Sequence, residues 1–275
     1  MGTNSIENIK SGLSKREALA LTRLAAQNRT IITIEDIAEA IDVSHSVAKK
    51  IASNLARKKW LDRLKRGTYL IVPLEAGEKG EYTEHEYVIA SHLASPMYIS
   101  YWSALNYYSL TEQVPLTVYA AATEQVPTRE IHGVEYRFVT LTEEKFFGYD
   151  PVAVGGQTVN VASVEKAIAD CADHPEYCGG ILELAKALQN ASELDTAKLG
   201  TYLMRMGNGA AVKRVVYLAD FYDIELENRS ELEDEFTTGY SKLDPTRGDE
   251  GTHTRKYRLL CNVSESELRR VGEIQ

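Results

Sequence analysis

Cysteine is scarce in this chain, and long apolar runs are missing. The three cysteines, Cys171, Cys178 and Cys261, are too few and odd in number for a disulfide framework. No stretch approaches the roughly 20 uninterrupted apolar residues that a membrane-spanning helix needs, and the opening MGTNSIENIKSGLSKRE has no apolar signal-peptide core. Met1 and Gly2 touch the myristoylation pattern, but Ile6 stands where Ser or Thr is wanted. These absences predict a cytoplasmic protein in a reducing compartment, with no membrane partner. Catalytic fingerprints are also absent. Gly207 to Arg214 (GNGAAVKR) lacks the spacing of a phosphate loop, Gly155-Gly156 falls inside a hairpin pattern rather than between a strand and a helix, and no hydrolase, kinase or protease motif stands out. The expectation is a protein without cofactor or metal, and not an enzyme.

What the chain does have is apolar content of 44% over 275 residues, enough for a core and for one large or two ordinary domains. Its net charge of −9 is unevenly spread. Residues 1–72 hold 13 Lys and Arg against 7 Asp and Glu, whereas residues 73–275 hold 18 against 33. A basic head on an acidic body implies two units with different partners. Ser46 to Val72 alone carries eight Lys or Arg and one acid, Asp62.

The pattern around that stretch explains the charge. Ser14 and Glu17 form a capping box ahead of Ala18, Leu21, Leu24 and Ala25 at helical spacing, and Thr33 with Asp36 repeats the device before Ile34, Ile37, Ala38 and Ile41. After Asp42 and Val43, Ser44 is placed to cap a third helix. Val47, Ala48, Ile51 and Leu55 make its apolar stripe; His45, Ser46, Lys49, Lys50, Ser53 and Arg57 lie opposite. Next, KWLDRLKRGTYLIV alternates as a strand would, breaks at Lys65-Arg66-Gly67 and resumes, which predicts a two-stranded wing with a basic tip. Three helices and a wing predict a winged helix-turn-helix over residues 1–72 that binds double-stranded DNA. Ser46, Lys49 and Lys50 are candidates for base edges, and His45 for a base or a phosphate. Arg57, Lys58, Lys59, Arg63, Lys65 and Arg66 are candidates for phosphates, with Ser44 and Ser53 completing the interface.

Residues 73–86 (PLEAGEKGEYTEHE) read as a linker. The remainder, 87–275, predicts a larger mixed α+β domain, so the fold class is α+β. EYVIASHLA and YISYWSALNYYSL read as helices split at Ser95-Pro96. LTVYAAAT and VEYRFVTL read as strands with a turn at His132-Gly133, and VAVGGQTVNVAS as a hairpin. Ser163 with Lys166 opens a helix, three more cover Ile181 to Gln189, Thr196 to Met206 and Ala210 to Phe221, and a turn-rich tail closes in a strand. Cys171, His174 and Cys178 match no closed zinc site and are better explained by helix-end packing. The tyrosines around Trp102 (Tyr98, Tyr101, Tyr107 and Tyr108) are placed in core and interface rather than under stacked bases.

The succession LARKKWLDRLKRGTYLIV, SPMYISYWSALNYYSL, VNVASVEKAIADC and a close on LDP with RKYRLLCN resembles the AbiEi family, antitoxins of type IV toxin–antitoxin (abortive infection) systems. It spans nearly the whole chain. It departs from the family pattern at Lys59, where a glycine is expected, at Val164, and at Tyr257, where a Trp is usual. The resemblance implies two functions: an N-terminal module that represses its own operon at inverted repeats, with a homo-oligomer on DNA as the expectation, and a larger domain that counters a nucleotidyltransferase-like toxin. A ligand-sensing winged-helix regulator, with an effector pocket in the C-terminal domain, is the alternative, and an enzyme acting on the toxin is a third reading.

Overall fold

The computed structural model describes residues 12–73, 84–113 and 116–271. The chain divides into two compact units, Met1–Leu93 and Ala94–Gln275. Most of the expected linker, residues 74–83, lies outside the described residues.

In the first unit the elements run α1 (Lys15–Ala25), β1 (Ile31–Thr33), α2 (Ile34–Ile41), α3 (His45–Arg57), β2 (Leu61–Lys65), β3 (Thr68–Ile71) and α4 (Glu86–Leu93). Both capping boxes form. Ser14 N donates to Glu17 Oε2 at 2.7 Å and Glu17 N to Ser14 Oγ at 3.4 Å, while Thr33 N donates to Asp36 Oδ2 at 2.7 Å and Asp36 N to Thr33 Oγ1 at 3.2 Å. Each satisfies amide groups that the first helical turn leaves without partners. Ser44 precedes α3 but makes no side-chain cap; its hydroxyl lies 3.1 Å from that of Ser46 instead.

The turn between α2 and α3 is set by Asp42, which takes the left-handed conformation (φ 53°) and lets Val43 N reach Ala38 O at 3.0 Å. The same device ends α3. Lys59 has φ 64°, Lys59 N donates to Ala56 O at 3.1 Å and Trp60 N to Leu55 O at 3.0 Å. This is the paired hydrogen bonding of a Schellman ending, whose left-handed residue is usually glycine. The expected two-stranded wing is part of a three-stranded antiparallel sheet, order β1-β3-β2. The short Ile31–Thr33 strand follows no turn signal strong enough to mark it in sequence, and it forms by pairing across to Thr68–Leu70. Gly67 supplies the positive φ (79°) at the hairpin tip. Behind these elements Leu21, Leu24, Ile37, Ile51 and Leu55 are buried in one apolar cluster with Ile32, Leu61 and Tyr69. Of the residues expected on the inner stripes, Leu21, Leu24, Ile34, Ile37, Ala48, Ile51 and Leu55 form this core, Ala18, Ala38, Ile41 and Val47 are half-buried, and Ala25 is exposed. Helix α4 groups with this unit, although its sequence reads as the start of the next.

The second unit contains β4 (Met97–Ile99), α5 (Tyr101–Tyr107), β5 (Thr117–Ala122), β6 (Arg129–Ile131), β7 (Val134–Thr140), β8 (Tyr149–Val154) and β9 (Gln157–Ala162). Helices α6 (Val164–Asp173), α7 (Ile181–Asn190), α8 (Thr196–Met206), α9 (Gly209–Phe221) and α10 (Arg229–Asp234) follow, then β10 (Ser241–Lys242), β11 (Thr252–Thr254), β12 (Leu259–Cys261) and α11 (Glu265–Val271). Six strands form one mixed sheet in the order β6-β7-β5-β4-β9-β8. Met97–Ile99 is a strand, not the beginning of a helix: it is wholly buried and sits centrally, antiparallel to β5 and parallel to β9. The His132-Gly133 turn closes β6 onto β7, whereas β5 and β7 run parallel. The Gly155-Gly156 hairpin and the Ser163 cap of α6 occur where the sequence places them.

Helix α6 packs against α5, α7, α8 and α9, and Glu165 to Asp173 are all buried. A helix buried on every side must pair its polar groups internally. Lys166 and Asp170, one turn apart and fully buried, form an ion pair. Ser100 Oγ and Tyr98 Oη donate to Asp170 Oδ2 at 2.6 and 3.1 Å, and the Lys166 ammonium lies 4.7 Å from the Phe147 ring centre. Tyr98 and Tyr101 are core residues, each 0% exposed.

Candidate nucleic-acid interface

The outer surface of α3 carries His45, Lys49, Ser53 and Arg57 at four-residue intervals, all exposed, with Ser46 and Lys50 exposed beside them. Residues four apart stack on one helix face, so the apolar side of α3 (Ala48, Ile51, Ala52, Leu55) orients this row outward. Between α3 and the β2–β3 hairpin runs a groove of about 500 Å³. His45, Lys49 and Ser53 line it from the helix, Arg63 and Arg66 from the hairpin. Ser44, Ser46, Lys50, Arg57, Lys58, Lys59 and Lys65 are not among its lining residues.

Four of the expected phosphate contacts make hydrogen bonds within the protein. Lys58 Nζ pairs with Glu17 Oε2 at 2.6 Å. Burial alone would raise the Glu17 pKa, but hydrogen bonds from Lys58 and Ser14 outweigh it and hold the carboxyl below its ordinary value. Lys65 Nζ donates to Leu93 O at 3.2 Å. Of the others, Arg57 donates to Asn54 Oδ1 at 3.1 Å, and Arg63 Nε reaches Lys65 O at 3.4 Å. Lys59 and Arg66 are exposed.

The groove holds an acid that the sequence-derived set does not contain. Glu35, in the first turn of α2, lines it, and His45 Nε2 lies 3.1 Å from Glu35 Oε1. Ten positions separate them in sequence, and only the turn at Asp42 brings the starts of α2 and α3 together. The available signal was an acid directly after the Thr33 cap, which ordinarily reads as favourable helix-dipole charge.

In the second unit Cys171 and Cys178 are buried, reduced neighbours; burial, reinforced by Cys178, pushes the Cys171 thiol well up. Among the described residues no three His, Cys, Asp or Glu side chains group as a metal site. Gly207 ends α8 in the left-handed conformation and Asn208 caps α9, the helix junction expected there. No described helix is long and apolar enough to cross a membrane.

Comparison with known proteins matches both levels of this description. Over 98% of its length and 98% of the other chain, the protein has the fold of the RV2827C protein from Mycobacterium tuberculosis, known from a crystal structure, with a TM-score of 0.65 at 14% identity. No curated protein matches the sequence. Residues 20–72, which include α2, α3 and the hairpin, match the family model described as "Transcriptional regulator, AbiEi antitoxin".

Proposed function

We propose that this protein is a cytoplasmic, non-enzymatic antitoxin and transcriptional repressor whose winged helix, residues 1–72, binds the promoter of its own operon. The observation that carries this reading is the groove between α3 and the hairpin, with Lys49, Arg63 and Arg66 on its walls, inside the segment matching a family of transcriptional regulators. Cations on the hairpin meet phosphates while the exposed row of α3 reaches base edges. The larger unit, with the acidic balance of the body, counters a nucleotidyltransferase-like toxin in this reading. Inverted repeats in the operator would seat more than one copy.

Gel shifts of the full chain on duplex DNA from upstream of its own reading frame test the repressor. Specific retardation that weakens steeply with salt supports it; equal, weak binding to promoter and unrelated duplexes defeats it. Co-expression with the neighbouring gene tests the antitoxin half, the expected result being rescue of growth. A second reading, a ligand-sensing regulator, is favoured by an open groove of about 1370 Å³ in the second unit, walled by Tyr217, Tyr222, Tyr257, Asp220 and Glu267 among others. Promoter binding that changes on adding a small molecule would favour it.

A further inference from the structure

We infer that Glu35 is a base-discriminating residue of this interface, its carboxylate accepting a hydrogen bond from the N4 amino group of a cytosine in the major groove. The inference rests on the duplex binding proposed above.

Two acids open α2, and they differ in employment. Asp36 closes the capping box on Thr33 and pairs with Arg29, so it belongs to the architecture. Glu35 takes no part in the cap; its side chain is 66% exposed and lines the groove with Lys49, Arg63 and Arg66. A carboxylate at a surface that faces phosphates loses affinity by repulsion. Accepting a hydrogen bond from an amino group on a base edge offsets that loss and makes the contact sequence-dependent. In the major groove those groups are cytosine N4 and adenine N6. Adenine sets an acceptor, N7, beside its amino group, a pattern suited to the donor and acceptor of an amide. Cytosine offers a donor alone, which suits a carboxylate. The contact from His45 Nε2, at the first position of α3, holds the Glu35 carboxylate against the start of the helix that carries Lys49, and the surrounding cations offset its charge.

The test is selection from a randomised duplex library on the full-length chain, comparing wild type with Glu35→Gln, Glu35→Ala and His45→Ala. The exposed side chains leave the Thr33–Asp36 box intact, and circular dichroism confirms folding. Wild type should select cytosine at one position of the bound site, by roughly tenfold to a hundredfold over other bases. Glu35→Gln should move that position to adenine, and Glu35→Ala should erase the preference there while leaving other positions unchanged. His45→Ala should weaken the preference at the same position. If both Glu35 variants bind all duplexes more tightly with unaltered site preference, the carboxylate only repels phosphate and the inference fails. If the wild-type chain binds no duplex, the repressor reading fails and takes this inference with it.

Discussion

Lys58 Nζ lies 2.6 Å from Glu17 Oε2, pinning the end of α3 to the first turn of α1. Glu17 is buried, so removing its cation strands a charge. Lys58→Ala is expected to destabilise the first unit by about 1–3 kcal/mol, read as faster hydrogen exchange of α1 and α3 amides. Because the Glu17 pKa is depressed in the folded state, the pair's contribution is complete above the unfolded-state value near 4.5 and is lost as pH falls through the lower folded value. The difference between wild type and Lys58→Ala should therefore shrink below about pH 4.5; a difference constant down to pH 3 would refute the linkage.

Arg66, exposed at the hairpin tip beside Gly67, separates positioning from reading. Arg66→Ala should weaken binding to all duplexes alike and reduce the slope of log K against log salt by about 0.9, the value for one phosphate contact. Lys58→Ala should change that slope less, since its ammonium is already paired with Glu17. Equal slopes for wild type and Arg66→Ala would take the wing off the DNA.

Lys59 occupies a left-handed position, φ 64°, where a side chain costs about 1–2 kcal/mol relative to the right-handed region and glycine costs little. Lys59→Gly should stabilise the first unit by about 1 kcal/mol after the entropy of the unfolded glycine is set against it. Denaturant melting of the full chain, with exchange of the Trp60 amide as local probe, checks the sign. A destabilised variant would mean that the Lys59 side chain contributes more than its backbone costs.

Lys166 and Asp170 are both fully buried. Lys166→Met leaves Asp170 with the hydroxyls of Tyr98 and Ser100 but no cation, an expected loss of about 3–5 kcal/mol. Adding Asp170→Asn should recover part of it, because the uncompensated charge is gone. Thermal melts of the single and double variants decide this, non-additivity being the signature.

The legible parts of the fold were those fixed by neighbours in sequence. Ser14 with Glu17, Thr33 with Asp36 and Ser163 with Lys166 mark helix starts within one turn, and Gly155-Gly156 marks a hairpin. Met97–Ile99 was not legible because its strand state comes from β5 and β9, tens of residues away. The tail was legible only as turns; β10–β12 and α11 depend on pairings across it. The basic row on α3 could be read from its spacing, whereas the meeting of Glu35 with His45, and the engagement of Lys58 by Glu17, depend on how separate helices approach.

Asp42 and Lys59 stand on either side of α3, each in the left-handed conformation, so the helix cannot run back through Asp42 or on through Lys59 without a backbone flip at that residue. A helix terminated in this way is already ordered before it meets a ligand. Association with a duplex should then lack the large negative heat-capacity change of coupled folding, and the ordering cost should fall on the long side chains alone, about 0.5–1.5 kcal/mol for each one immobilised.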